Sequence, residues 1–132
     1  MTTQRRELDH KALLAALLDA PMFEKEIHSG QLADGMTFNQ KVWALTARIP
    51  EGKVTTYGHI ARKLGTSAYR AVGHAMNRNP YAPAVPCHRV VGSQGSLTGF
   101  AGGLPKKQAM LTAEKVPMRN GRVVLNEALY NF

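Results

Sequence analysis

The chain has 132 residues, with 17 Lys and Arg against 9 Asp and Glu for a net charge of +8, and 44% of its residues are hydrophobic. That length supplies one domain with a single core, and no run reaches the roughly 18 apolar residues of a membrane span. One cysteine cannot form an internal disulfide, and histidines scattered at His10, His28, His59, His74 and His88 do not cluster as zinc ligands do, so no metal site is expected.

The charge is uneven along the chain. Residues 41–122 hold 13 Lys and Arg against Glu51 and Glu114 only, while residues 1–40 are slightly acidic. A polyanionic partner such as nucleic acid accounts for this through phosphate neutralisation and counterion release; a basic, well-solvated surface gives the same count.

The N-terminus, MTTQRRELDHKALLAALLDAP, has acids around a short apolar stretch instead of a basic region leading to a cleavage site, and a cytoplasmic location is expected. Asp9 caps an apolar run (Leu13, Leu14, Leu17, Leu18) that ends at Ala20-Pro21, which predicts a short amphipathic helix. HSGQLADGM reads as a loop. Thr37 and Gln40 then form a capping box ahead of a stripe at Phe38, Val42, Leu45 and Ile49, so a helix is expected up to Pro50.

PEGKVTTYG turns the chain, and YGHIARKLG predicts a short helix with Ile60, Ala61 and Leu64 inward and Gly65 closing it. SAYRAVGHAMNR predicts a second helix, capped by Thr66 or Ser67. Ala68, Val72, Ala75 and Met76 lie on one face, with Arg70, His74, Asn77 and Arg78 on another. Two short helices joined by a glycine-containing turn, the second with a basic polar face, have the outline of a helix-turn-helix; an ordinary helical hairpin has it too. Gly73 lies inside the second helix, where glycine costs about 1 kcal/mol against alanine. With Ala68 and Ala71 it makes a small-residue surface that fits a groove by shape.

NRNPYAPAVPCHRVV places Pro80, Pro83 and Pro86 within seven residues, holding the chain in an irregular path up to the cysteine. GSQGSLTGFAGGLP is a glycine-rich loop. Pro105 is expected at the first helical position of KKQAMLTAE, with Glu114 near that helix's end. VPMRNGRVVLNEALYNF predicts two short strands around an Asn120-Gly121 turn.

A lone cysteine is commonly a small buried hydrophobe. Cys87 differs in its setting: Pro86 stiffens the approach, His88 is adjacent, and Arg89 adds a positive field of the kind that favours thiolate. The glycine-rich loop can form the opposite wall of a pocket. A cysteine nucleophile with a histidine base serves proteolysis, acyl transfer, redox chemistry or alkyl transfer, and residue chemistry leaves these open.

VPCHRVV, preceded by RAVGHAMNRNP and followed by TGFAGG and LTAEK, resembles the O6-alkylguanine-DNA alkyltransferase family, over roughly three quarters of the chain from Thr37 onward. The resemblance implies a mainly α domain with a short C-terminal β hairpin, a winged-helix-like helix-turn-helix, spanning residues 37–132 behind a short helical extension over 1–36. It implies direct, single-use transfer of an alkyl group from guanine O6 in double-stranded DNA to Cys87, after the base is flipped out. The protein would act as a monomer from the minor groove, with no cofactor.

In that scheme His88 is the base, through a bridging water, and Glu114 orients it. Asn79 braces the turn after the recognition helix, and Tyr57 crowds the phosphate and helps protonate the leaving guanine. Arg70 enters the stack where the nucleotide was. Gly73 and Ser93, with Ala68 and Ala71, approach DNA, and Val90 offers a main-chain contact to the flipped base. Phe100 stands where the family often has tyrosine, and Ala101 where some members have serine, so polar contacts to the base are fewer. An alternative is lesion binding without transfer, as in the alkyltransferase-like proteins, which carry tryptophan or another non-nucleophile where Cys87 stands. A helix-turn-helix regulator whose cysteine senses alkylation is a third, though no dimerisation helix is evident.

Overall fold

A computed structural model describes residues 22–100 and 102–132. The expected helix after Asp9, and Ala101, lie outside the described residues.

The first described helix, α1 (Glu24–His28), is a single turn whose Ile27 is wholly buried. It packs on α2 (Phe38–Ala47), which begins as expected: the Gln40 N–H donates to Thr37 Oγ1 at 3.1 Å and the Thr37 N–H to Gln40 Oε1 at 2.9 Å, a reciprocal cap. The expected stripe is inward at Val42, Leu45 and Ile49, with Phe38 partly buried against the core. Burial extends well beyond that stripe. Gln40, Trp43, Ala44 and Thr46 are buried as well, so α2 is the central helix and not an amphipathic surface one. Trp43 Nε1 donates to the Ala75 carbonyl at 2.7 Å, which fastens α2 to the helix that carries Ala75. Each fully buried aliphatic here contributes about 1.5–3 kcal/mol relative to exposure.

Strand β1 (Thr55–Thr56) leads directly into α3 (Tyr57–Lys63), whose first turn is capped by Thr56 Oγ1 accepting from the His59 N–H. Gly65, at φ +78°, takes the left-handed conformation that ends this helix, as the sequence indicates. α4 (Tyr69–Asn77) follows, completing the helix-turn-helix. Its start differs from the expectation. Ala68 is the N-cap, without a side-chain cap, and Thr66 Oγ1 accepts from the Ala68 N–H one step earlier; Ala68 is exposed. Val72, Ala75 and Met76 alone bury the inner face.

After the proline-rich segment comes a 3-10 turn, Cys87–Arg89, and then strand β2 (Val90–Val91). β2 pairs with β1 in parallel, Thr55 opposite Val90 and Thr56 opposite Val91. Neither strand was expected: two residues carry no alternation to recognise. α5 (Leu104–Ala113) begins one residue earlier than the sequence indicates, so Pro105 is its second residue, and Glu114 is its C-cap. β3 (Met118–Arg119) and β4 (Arg122–Val123) form the expected hairpin, with Asn120 at φ 54° and Gly121 at φ 75°. A final turn of helix, α6 (Leu125–Ala128), was not expected. The glycine loop is tied to the hairpin at Gly95, whose carbonyl accepts from the Val123 N–H at 2.9 Å; a Cβ there would run into the Val123 carbonyl. No helix among the described residues is long and apolar enough to cross a membrane.

Candidate active site

The two-residue sheet does most of the positioning. Because β1 runs straight into Tyr57 and β2 emerges straight from Arg89, pairing them sets the start of the helix-turn-helix beside the cysteine turn. Asn79 fixes the proline-rich approach from the other side. Its Nδ2 donates to the Val85 carbonyl at 2.8 Å and its Oδ1 accepts from the Tyr81 N–H at 2.9 Å, so one amide spans the loop between α4 and Cys87.

On the turn itself, Cys87 is half-buried and His88 is 2% exposed. His88 Nε2 lies 2.9 Å from Glu114 Oε2. With the ring neutral, Nε2 then carries the proton and Nδ1 is left as an acceptor. Burial pulls the imidazole below its usual 6.5, assisted by Arg89 and Lys107 and opposed by Glu114, so neutral His88 is the form at neutral pH.

Arg89 is placed differently from the sequence expectation. Its guanidinium grips Glu114, Nε to Oε1 at 2.8 Å and Nη2 to Oε2 at 2.7 Å, while Nη1 donates to the Ile49 carbonyl at 2.7 Å. The arginine thus orients the carboxylate that holds His88. Burial tends to raise the Glu114 carboxyl, but the hydrogen bonds and charges of Arg89 and His88 outweigh it and hold the group below its usual 4.5.

The cation at the heart of the site is Lys107, to which the sequence assigns no role. It is 0% exposed, and its Nζ donates to the Val90 carbonyl at 2.6 Å, to the Thr98 carbonyl at 2.8 Å and to Tyr57 Oη at 3.4 Å. Tyr57 donates in turn to the Thr98 carbonyl at 3.0 Å. The ring of Phe100 lies 6.0 Å from the same ammonium. One lysine therefore joins α5, β2, the glycine loop and the start of α3. The Tyr57 phenol is raised above its usual 10.0, mainly by burial.

Burial pushes Lys107 from 10.5 to about 8, with negative charge at Cys87 acting in the other direction. An unfolded lysine holds its proton to higher pH, so the unfolded chain binds more protons between these two values, and stability rises with pH across that window. Urea unfolding at about pH 7 and about pH 9.5 is expected to show wild type gaining about 2 kcal/mol more than Lys107→Met over that interval. Identical pH dependence in the two proteins would show that the buried charge carries no penalty.

Tyr57, Thr98 and Gly99 face α4 across an open cleft of about 260 Å³, whose other wall includes Tyr69, Arg70 and Gly73. Arg70 is exposed, as are Ala68 and Ser93, and Ala71 is half-buried. A Cβ added at Gly73 would meet no atom within 4 Å, so the protein's own packing does not require glycine there. Val90 is buried, with its carbonyl held by Lys107.

Fold and site together define a class: a helix-turn-helix domain whose second helix borders a cleft, joined by a short parallel sheet to a cysteine turn whose histidine pairs with a glutamate. The sequence profile of the 6-O-methylguanine DNA methyltransferase, DNA binding domain, matches residues 37–116, and the chain belongs to that family.

A methylated-DNA–protein-cysteine methyltransferase of Methanosarcina mazei is 50% identical over 82 residues, which are 61% of this chain and 52% of that protein. The protein of the same name from Mycobacterium tuberculosis H37Rv is 49% identical over 82 residues, 61% of this chain and 50% of its own. The chain spans about half the length of the curated relatives it matches. Among solved structures, S. pombe Atl1 in complex with damaged DNA containing O6-carboxymethylguanine is similar at TM-score 0.64 and 32% identity, over 72% of this chain and 95% of that one. Mycobacterium tuberculosis OGT in complex with DNA is similar at TM-score 0.59 and 42% identity, over 69% of this chain and 62% of that one.

Proposed function

We propose that this protein repairs DNA by moving an alkyl group from guanine O6 to Cys87, once per molecule. The observation that carries this reading is the His88–Glu114 pair on the same turn as the half-buried Cys87: with Nε2 committed to Glu114 at 2.9 Å, Nδ1 of the neutral imidazole is left to accept the thiol proton through a bridging water. The alkyl carbon on O6 is inaccessible inside a duplex, so the nucleotide has to rotate out, at a cost of a few kcal/mol that the insertion of Arg70 offsets.

The sulfur then bonds to the alkyl carbon as the carbon–O6 bond breaks, with the electron pair leaving on guanine. A proton from Tyr57 neutralises the departing base, and Lys107, hydrogen-bonded to that phenol, keeps its oxygen in place. Asn79 holds the turn rigid while this occurs, and Val90 and Phe100 border the base. The C–S bond of the thioether is not cleaved by water or by another thiol, so each molecule is used once.

Binding is to double-stranded DNA from the minor groove, as a monomer. The open space at Gly73 on the cleft wall, with Ala68 and Ser93 exposed and Ala71 half-buried, supports close approach of a sugar-phosphate backbone. Gly73→Ala separates this from a packing role. It is expected to stabilise the fold by up to about 1 kcal/mol, because alanine is the better helix former and nothing obstructs its methyl group, while weakening duplex binding. Loss of stability with unchanged binding would contradict the assignment.

The direct test is intact mass after incubation with a duplex containing one O6-methylguanine, with unmodified duplex as control, followed by peptide mapping. A gain of one methylene on the Cys87 peptide is expected. Preferential binding of the modified duplex with no gain would instead favour lesion flagging without transfer, a reading supported by the 95% coverage of Atl1.

A further inference from the structure

Tyr69 is the first residue of α4 and is 53% exposed, although the inner face of the helix is already filled by Val72, Ala75 and Met76. The core does not use its ring. The ring instead borders the cleft together with Tyr57 and Arg70, and the Arg70 guanidinium carbon lies 5.9 Å from its centroid. Neighbouring positions on a helix point about 100° apart, so this approach requires the Arg70 side chain to fold back over Tyr69 toward the cleft. The result is a flat apolar ring paired with a cation, both solvent-facing, on the segment of the chain where 13 Lys and Arg oppose two acids. A partner suited to that pair presents flat π faces and negative charge together, as a nucleobase stack with its phosphates does.

We propose that Tyr69 is a second stacking side chain for DNA, working beside Arg70. As Arg70 fills the gap left by the extruded nucleotide, the Tyr69 ring stacks on the base that flanks the gap and covers the face the departed base exposed. The ring also restrains the guanidinium before DNA arrives, so less side-chain freedom is lost on insertion. This rests on the reading that the cleft receives an extruded nucleotide.

The experiment uses the full chain as wild type, Tyr69→Ala, Tyr69→Leu and Tyr69→Phe, with a duplex carrying one O6-methylguanine and 2-aminopurine at the flanking base. Thermal unfolding first establishes that each variant is folded, which the exposed position favours. Tyr69→Ala and Tyr69→Leu are expected to bind about tenfold more weakly and to lose quenching of the flanking 2-aminopurine, whereas Tyr69→Phe stays within about twofold of wild type and keeps the quenching. Wild-type affinity and quenching in Tyr69→Ala would overturn the proposal, and so would full rescue by leucine, which supplies bulk without a π face. Intact mass on the wild-type samples tests the other reading separately: no alkyl gain would remove the transfer function, and the ratio of Tyr69→Phe to Tyr69→Ala affinity would still decide the role of the ring.

Discussion

Cys87→Ser is expected to gain no mass from a duplex carrying O6-methylguanine under conditions in which wild type is fully alkylated, and to bind that duplex within about twofold of wild type. The substitution replaces one chalcogen by a smaller one at a half-buried position, so the turn, the His88 ring and the cleft remain in place. What changes is the nucleophile. An imidazole readily takes a proton from a thiol, and the thiolate is strongly nucleophilic toward carbon; an alcohol beside the same imidazole is a weak nucleophile unless a transition-state site is built for it. Intact mass and fluorescence anisotropy on the same samples separate the two properties. Equal alkylation of both proteins would sink Cys87 as the acceptor, and loss of binding along with transfer would mean that the thiol contributes to recognition.

Glu114→Gln is the second large effect. The carboxylate accepts from His88 Nε2 and from two nitrogens of Arg89, all within 2.9 Å. A glutamine keeps one acceptor oxygen but turns an NH2 group toward another donor, and it leaves the guanidinium without its counter-charge. A stability loss of about 2 kcal/mol is expected at neutral pH, together with alkyl transfer slowed about a hundredfold as His88 loses its orienting partner.

The pH dependence gives the sign. Burial lowers His88 from 6.5 and Glu114 opposes that, so removing the carboxylate lowers His88 further, and the acid limb of the transfer rate, already below 6.5, moves to lower pH. The Glu114 carboxyl lies below its usual 4.5 in the folded chain despite burial, because Arg89 and His88 favour its ionised form. Its contribution to stability is therefore present above 4.5 and lost as pH falls through the folded value, so the gap between wild type and Glu114→Gln should close in acid. Single-turnover rates and urea unfolding across this range test both statements; an unchanged rate at neutral pH would rule out the orienting role.

Local structure in this protein follows from neighbouring residues. The Thr37 and Gln40 cap, the left-handed Gly65 and the Asn120-Gly121 hairpin each satisfy backbone groups with partners a few positions away, so residue type at fixed spacing is enough to place them. The same holds for the existence of the two helices that make the helix-turn-helix, though not for the cap of the second, and Cys87 and His88 are neighbours in the chain itself. The sheet that aligns these two pieces was not legible, because strands of two residues have no period.

Lys107 shows the boundary most clearly. Among the charged and polar residues of KKQAMLTAE it looks like a solvated helix lysine, yet it is fully buried with partners 9, 17 and 50 residues away in the chain. Arg89 likewise seemed to be a cation for the thiol, and in the fold it belongs to Glu114, 25 residues on. By itself the sequence placed the main helices and the C-terminal hairpin and set Cys87 next to His88 in the chain. Only the tertiary structure decided which cation lies under the pocket, which carboxylate faces which donor and where the cleft opens, because burial and pairing of charge depend on groups brought together by packing and not by chain neighbours.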